Sequence, residues 1–396
     1  MVTPLEGIRV IEVANYVAGP SVGALLRDLG ADVVKVEPPG GEVMRGVQVN
    51  AAVNYLFELE NRGKRSVTIA LDAPGGPDLL HDLLAGADVL LTNLYASRLR
   101  KYRITPEEVH ARNPHIVHVS VTGYGIHGPE ADRPAFDFAA FWARSGIMSL
   151  VGHPGSPPVL SRVAQGDHTT GINGVAATLA ALRLRDLTGH GQVVEISLQQ
   201  TGVYTIATDV ARVLYDRTAR PTRMDRTAAL NPLFNTYPTS DGQWLMLVHM
   251  TPDPYWPRFC RVIGLDAWAD DPRYATMRDR MALAPQICAE AEARFSARPF
   301  AHWARLLDEQ GLIWAPMVEL AEVVDDPQLR AMHAFAPVTG GLEEFETVSA
   351  PFLIRDADVG VRGRSPLPGE HTEAILAEAG IGPERIADLA EAGVFG

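Results

Sequence analysis

An aspartate stands at the mouth of an otherwise apolar helical stretch, QGDHTTGINGVAATLAALRL (165–184). An acid at position 167 has two chemical readings. As a helix N-cap, Asp167 accepts a bond from a backbone N–H two or three residues on, the commonest use of such an acid. As a nucleophile, a carboxylate held rigid at a helix start and favoured by the helix dipole can divide a difficult acyl transfer into easier steps. The residue types alone leave both open, with the cap the simpler.

Other groups capable of chemistry lie in loops. ENRGKRSV (60–67) clusters Arg62, Lys64 and Arg65, and Arg98, Arg100, Lys101 and Arg103 follow the apolar run DVLLTNL (88–94). Each cluster is either solvated surface or an anion clamp. VTGYGIHGPEADRPAFD (121–137) is glycine-rich, carries His127, and serves as a connection or as a place where a ligand nears backbone. The glycines of the first turn, at 19, 23 and 30, do not fit G-x-G-x-x-G, which speaks against classical dinucleotide binding. Glu37 matches the ribose-binding acid only in position. Gly19 and Pro20 nevertheless open a helix whose free N–H groups favour anions. No G-x-S-x-G, H-E-x-x-H or Walker loop occurs, and the 12 histidines are scattered without metal-ligand spacing.

The elements that must position these groups alternate. IRVIEVA (8–14), ADVVKVE (31–37), SVTIAL (66–71), DVLLTNL (88–94), IVHVSVTGYG (116–125) and VVEISL (193–198) read as strands. Between them SVGALLRDLG (21–30), GPDLLHDLLAGA (76–87), TPEEVHARN (105–113) and the long segment after Asp167 have helical spacing, the last stopping at Gly189 and Gly191. Short β-branched strands joined by helices predict parallel βαβ crossovers. From about 225 the pattern changes to a hairpin turning at Asp241-Gly242, helices over 255–264, 284–296 and 299–310, and short Pro-bounded strands. The expected fold is α/β: a Rossmann-like parallel-sheet large domain over 1–200, a linker over 201–224, a smaller α+β domain over 225–330, and a C-terminal return over 331–396.

Composition bounds the function classes. The 396 residues are 46% hydrophobic and 21% charged, as in globular domains, and the formal charge of −13 argues against a nucleic-acid partner. Two cysteines, Cys260 and Cys288, are too few for a disulfide scaffold and read as buried thiols of a reducing cytoplasm. The start reads as a strand rather than a signal peptide, and no apolar run is long enough to cross a bilayer. A cytoplasmic protein without a membrane partner is expected.

Seven stretches, taken together and in order, resemble the family III CoA-transferases (the CaiB/BaiF group, with formyl-CoA transferases and the related α-methylacyl-CoA racemases). They are PLEGIRVIEVANYVAGP, LLRDLGADVVKVEPPGGEVMR, NRGKRSVTIAL, ADVLLTNL, NPHIVHVSVTGYGIHGP, QGDHTTGINGVAATLAALRLRDLTGHGQVVEISL and LPGEHTEAIL, spanning nearly the whole chain. The resemblance implies that Asp167, in the family's Gly-Asp before this helix, is the nucleophile. It implies coenzyme A or acyl-CoA as substrate, with no permanently bound cofactor and a carboxylic acid as acceptor. Val17, Ala18, Arg45, Lys64, Asn93, Leu94 and Lys101 are the positions that fit CoA binding. It also implies a homodimer of two chains threaded as interlocked rings. The racemases carry a histidine where PAFD here places Phe136, and phenylalanine moves no proton, so transfer is favoured over epimerisation. A CoA-binding protein without turnover, Asp167 serving as a cap, is the third reading.

Overall fold

A computed structural model describes residues 2–47 and 50–396. The chain divides into two compact units: 1–149, 160–220 and 328–396 in the first, 150–159 and 221–327 in the second. The first is built on six strands, β1 (Arg9–Val13), β2 (Asp32–Glu37), β3 (Arg65–Thr68), β4 (Val89–Thr92), β5 (Val117–Thr122) and β6 (Val193–Ser197). Every pairing among them is parallel, in the order β3-β2-β1-β4-β5-β6. Strands covered on both faces need apolar side chains on both, and β4 and β5 are buried at every residue. The mixed α/β class and the Rossmann-like sheet expected from the strand pattern are therefore present.

Helices α1 (Ala18–Asp28), α2 (Tyr55–Asn61), α3 (Gly76–Ala85), α4 (Ala96–Lys101) and α5 (Pro106–Arg112) supply the crossovers as far as β5. A π-helical turn (Phe138–Ala143), α6 (Ile147–Leu150) and the 24-residue α7 (Gln165–Thr188) lead to β6, and α8 (Leu198–Thr205) and α9 (Ala207–Tyr215) follow it. The expected linker thus carries helix through residue 215. The short α2 and the π-helical turn lack the repeated apolar spacing that marks the longer helices. Within the C-terminal return lie two further helices, Thr372–Glu378 and Pro383–Glu391.

α1 and α7 approach closely because α7 presents glycines to α1. A Cβ on Gly174 would lie 2.6 Å from Val22 Cγ2, and one on Gly171 would lie 2.1 Å from Ser21 Oγ. Gly174→Ala is therefore expected to cost about 1–3 kcal/mol through overpacking, read as a lowered melting temperature.

The second unit holds an antiparallel sheet of β7 (Phe234–Pro238), β8 (Trp244–Val248) and β9 (Trp314–Met317). The β7–β8 hairpin turns where expected, with Gly242 at φ +80°. Three of its helices, at Trp256–Val262, Ala284–Phe295 and Phe300–Glu309, match the expected segments and bury an aromatic core that includes Trp256, Phe259 and Phe295. Cys260 and Cys288 are buried free thiols. A second antiparallel pair, β10 (Phe335–Val338) and β11 (Phe345–Val348), belongs to the first unit. No helix among the described residues is long and apolar enough to cross a membrane.

Candidate active site

The strand order reverses between β1 and β4, and in open parallel sheets the crevice beyond the carboxyl ends at such a point receives ligands. Here the two strand ends are stitched together. Asn93 Nδ2 donates to the Asn15 carbonyl (2.7 Å), and Asn15 N–H donates to Asn93 Oδ1 (3.1 Å). Gly19 permits the approach, since a Cβ there would lie 2.8 Å from Ala14 Cβ. Tyr16 takes a left-handed backbone, φ +65°, and its N–H donates to Glu42 Oε2 (2.9 Å). A non-glycine residue holds that conformation only where its surroundings enforce it.

Those surroundings are a buried charge cluster. Lys35 Nζ pairs with Glu12 Oε1 (3.0 Å) and with Glu42 Oε1 (2.8 Å, out of line for a hydrogen bond). Lys64 Nζ donates to Glu12 Oε2 (2.7 Å), Pro20 O (2.9 Å) and Asn61 Oδ1 (3.1 Å). Arg45 clasps Glu37 through two bonds of 2.6 Å and stacks 4.0 Å above the Phe57 ring. Three carboxylates thus face three cations, the condition for burying charge at tolerable cost. Burial pulls Lys64 down to about 8, against the Glu12 charge. Burial also opposes the charge on Lys35, but Glu12 and Glu42 outweigh it and raise that lysine.

A cleft of about 390 Å³ opens over the switch point. Of the residues anticipated from the sequence, Val17, Ala18, Asn93, Leu94 and Asp167 line it together. Three others stand elsewhere. Lys64 is buried within the charge cluster, and Arg45 lines a separate hollow beside Phe57 and Arg364. Lys101, half-exposed, does not line the cleft but pairs with Asp72 at its edge. The cation lining the cleft is instead Arg98, whose Nη1 donates to the Tyr102 hydroxyl (3.1 Å). His127, read only as a loop histidine, pairs with Glu195 (2.9 Å).

Asp167 is not the cap of its helix. α7 begins two residues earlier, at Gln165, after Ala164 in a left-handed conformation (φ +66°) that makes no side-chain cap. Among the described residues Asp167 accepts no hydrogen bond, so its half-buried carboxylate is free at the cleft. Burial pushes it up to about 7, and the Asp137 charge adds to this; His168 opposes the shift and Glu60 reinforces it.

Asp137, just before the π-helical turn, is a site residue the sequence reading passed over. It is 4% exposed, and among the described residues neither carboxylate oxygen has an aligned hydrogen-bond partner. It fits there because residue 166 is glycine: a Cβ would lie 2.2 Å from Asp137 Oδ1. Burial raises its pKa, eased by the nearby Gly166 N–H and Trp142 indole. A second acid in a partly dry site holds back the ionisation of its neighbour, here Asp167. On the other side, His168 Nε2 meets the buried Glu60 Oε1 at 2.7 Å. Burial disfavours the imidazolium, but Glu60 outweighs it and raises His168. The acid at the start of DFAAFWA and the acid in ELENRG were the available signals for Asp137 and Glu60.

This arrangement offers a positioned, half-buried carboxylate beside backbone turns, at a crevice of about 390 Å³. Comparison with known proteins bears on which ligand. Residues 5–372 match the model of CoA-transferase family III. The chain is 29% identical to an (R)-2-hydroxy-4-methylpentanoate CoA-transferase of Clostridioides difficile, covering 96% of this chain and 97% of that one. It is 31% identical to a succinate–glutarate CoA-transferase of Agrobacterium fabrum, over 95% of each chain. A CaiB/BaiF family crystal structure from Brucella suis superposes with a TM-score of 0.83 at 32% identity, over 96% of this chain and 100% of that one. The chain belongs to CoA-transferase family III and is a CoA-transferase enzyme, working on CoA thioesters as substrates.

Proposed function

We propose that Asp167 is the nucleophile of a CoA exchange between an acyl-CoA thioester and a free carboxylic acid. The observation carrying this is a cleft-facing carboxylate that has no hydrogen-bond partner among the described residues and is pushed up to about 7 by burial. A carboxylate tied up as a cap would have spent its lone pairs on backbone N–H groups; this one has not. An Asp167 oxygen attacks the thioester carbonyl carbon, the C–S bond breaks, and CoA leaves as thiolate, giving a mixed anhydride. The thiolate attacks the Asp167 carbonyl carbon, the anhydride C–O bond breaks, and the donor acid leaves as carboxylate. The acceptor carboxylate then attacks the aspartyl thioester, and the expelled thiolate attacks the acceptor's carbonyl carbon. Asp167 is regenerated as carboxylate with no net proton change. The protein's part is alignment and charge stabilisation, because the bonds made and broken are nearly balanced.

The CoA chain is assigned to the turns at Val17, Ala18, Asn93 and Leu94, with Arg98 and Lys101 available to its phosphates. Phe136 occupies the place of the racemase histidine, which disfavours epimerisation. The relatives act on acids as different as a branched hydroxy acid and a dicarboxylate, so family membership leaves the substrate pair open. The test is intact-mass and peptide analysis after incubation with acyl-CoA. A CoA adduct on the peptide holding Asp167, absent in Asp167→Ala, is expected. CoA binding without an adduct or exchange makes the protein a non-catalytic binder, and α-deuterium exchange without an adduct makes it a racemase.

The nucleophile must be ionised, which sets the pH dependence. With kcat/KM measured for the acyl-CoA donor, activity is expected to rise with pH through about 7. His168→Gln removes a cation that favours the Asp167 carboxylate, so the acidic limb should move to higher pH; Asp137→Asn removes a repelling charge and should move it lower.

The family's interlocked homodimer is supported by apolar surface that the single chain leaves uncovered. α9 buries none of its residues, leaving Tyr215 95% exposed, and α7 exposes Ile172, Leu184 and Leu187. Sedimentation at twice 42.9 kDa is expected. The buried free thiols suit a reducing cytoplasm, and cell fractionation tests that placement.

A further inference from the structure

Two aromatic rings line the cleft beside Asp167 and touch each other. Tyr16 and Phe136 meet edge to face, with centroids 5.2 Å apart and planes at 87°. Phe136 is 61% exposed and immediately precedes the buried Asp137. Tyr16 is held by its left-handed backbone, whose N–H is anchored on buried Glu42 (2.9 Å), while Asn15 beside it is tied to Asn93. An aromatic face pinned in this way, and left open to a cleft, is preorganised to receive an apolar group.

The charges around the nucleophile point the same way. Arg98, the one cation among the described lining residues, groups with Asp72 and Tyr102 and is absent from the charges that act on Asp167. The His168 imidazole is engaged by Glu60. An acyl group carrying its own carboxylate would therefore be repelled by the Asp167 carboxylate and by the charge of buried Asp137 behind it, and would find no free cation among the lining residues beside Asp167. That juxtaposition disfavours dicarboxylic substrates.

We infer that Tyr16 and Phe136 form the acyl-side wall of the cleft and select thioesters of monocarboxylic acids with aryl or extended apolar side chains over those with a second carboxylate. The inference rests on Asp167 as the reacting group. Phenylacetyl-, hexanoyl-, acetyl- and succinyl-CoA are the probes, each measured for equilibrium binding and for the rate of CoA adduct formation at Asp167. The variants are Phe136→Ala, on an exposed side chain, and Tyr16→Asn, because asparagine tolerates the left-handed backbone that the tyrosine now holds.

The wild type should favour phenylacetyl- over succinyl-CoA by at least about tenfold, and each variant should lower the phenylacetyl-to-acetyl ratio by about tenfold or more. An unchanged ratio overturns the inference, as does a preference for succinyl-CoA. Equal loss for all four thioesters also overturns it, placing the rings on the pantetheine arm. An unchanged ratio with a loss of dimer on Phe136→Ala overturns it by assigning that ring to a contact between copies. If binding shows the preference and no thioester gives an adduct, the wall stands and the assignment of Asp167 fails.

Discussion

Asp167→Asn is expected to lower CoA transfer by on the order of 10⁴-fold or more, because the amide cannot form the anhydride or the enzyme thioester. The same change is expected to stabilise the fold. The folded protein holds the Asp167 proton up to about 7, well above an exposed aspartate near 3.8. Folding therefore takes up a proton between those values, and stability falls as pH rises through that window. Asparagine carries no such penalty. The gain in melting temperature from Asp167→Asn should be absent below pH 4, grow through the window, and be full above pH 7. A variant inactive and less stable at pH 8 would mean that the carboxylate is a structural group. An inactive but stabilised one identifies a residue kept for chemistry at the expense of stability.

Glu12→Gln carries the second large effect, on folding rather than chemistry. Glu12 accepts from Lys35 and from Lys64, with all three side chains fully buried. Removing its charge leaves two ammonium groups facing a neutral amide, and breaking a buried pair in this way costs about 3–5 kcal/mol. Lys64→Met leaves Glu12 with Lys35 and should cost less. The double variant Glu12→Gln/Lys64→Met should recover part of the loss, a coupling that a double-mutant cycle on melting temperature measures. If Lys64 acted on CoA directly, Lys64→Met would weaken CoA binding without changing stability. The opposite is expected, since Lys64 supports the Pro20 carbonyl at the start of α1 and does not line the cleft. Gly23 belongs to the same design: a Cβ there would lie 1.9 Å from Glu12 Oε2.

Local pattern determined a good deal of this protein. Runs of β-branched residues of the right length identify the six parallel strands, and apolar spacing identifies α1, α3, α5 and α7 but not the short α2 and α4, because burial on a strand or a longer helix leaves its own period in the sequence. The acid at 167 was visible as the lone charge before an apolar helix, and seven ordered stretches pointed to the family. Tertiary structure alone decided the rest. The crossing of β1 beside β4 brings Asn15 and Asn93, 78 positions apart, into one crevice. Basic residues of similar appearance then part company: Lys64 turns inward to Glu12, Lys101 pairs with Asp72 at the edge of the cleft, and Arg98 lines it. Asp137 reaches Asp167 only because a glycine at 166 leaves room between the helix start and the π-helical turn. A side chain's type sets what it can bond, but its partner and its exposure to water depend on residues far along the chain. Those long-range neighbours are what move Asp167 from an ordinary helix-start acid to a carboxylate that titrates near neutrality.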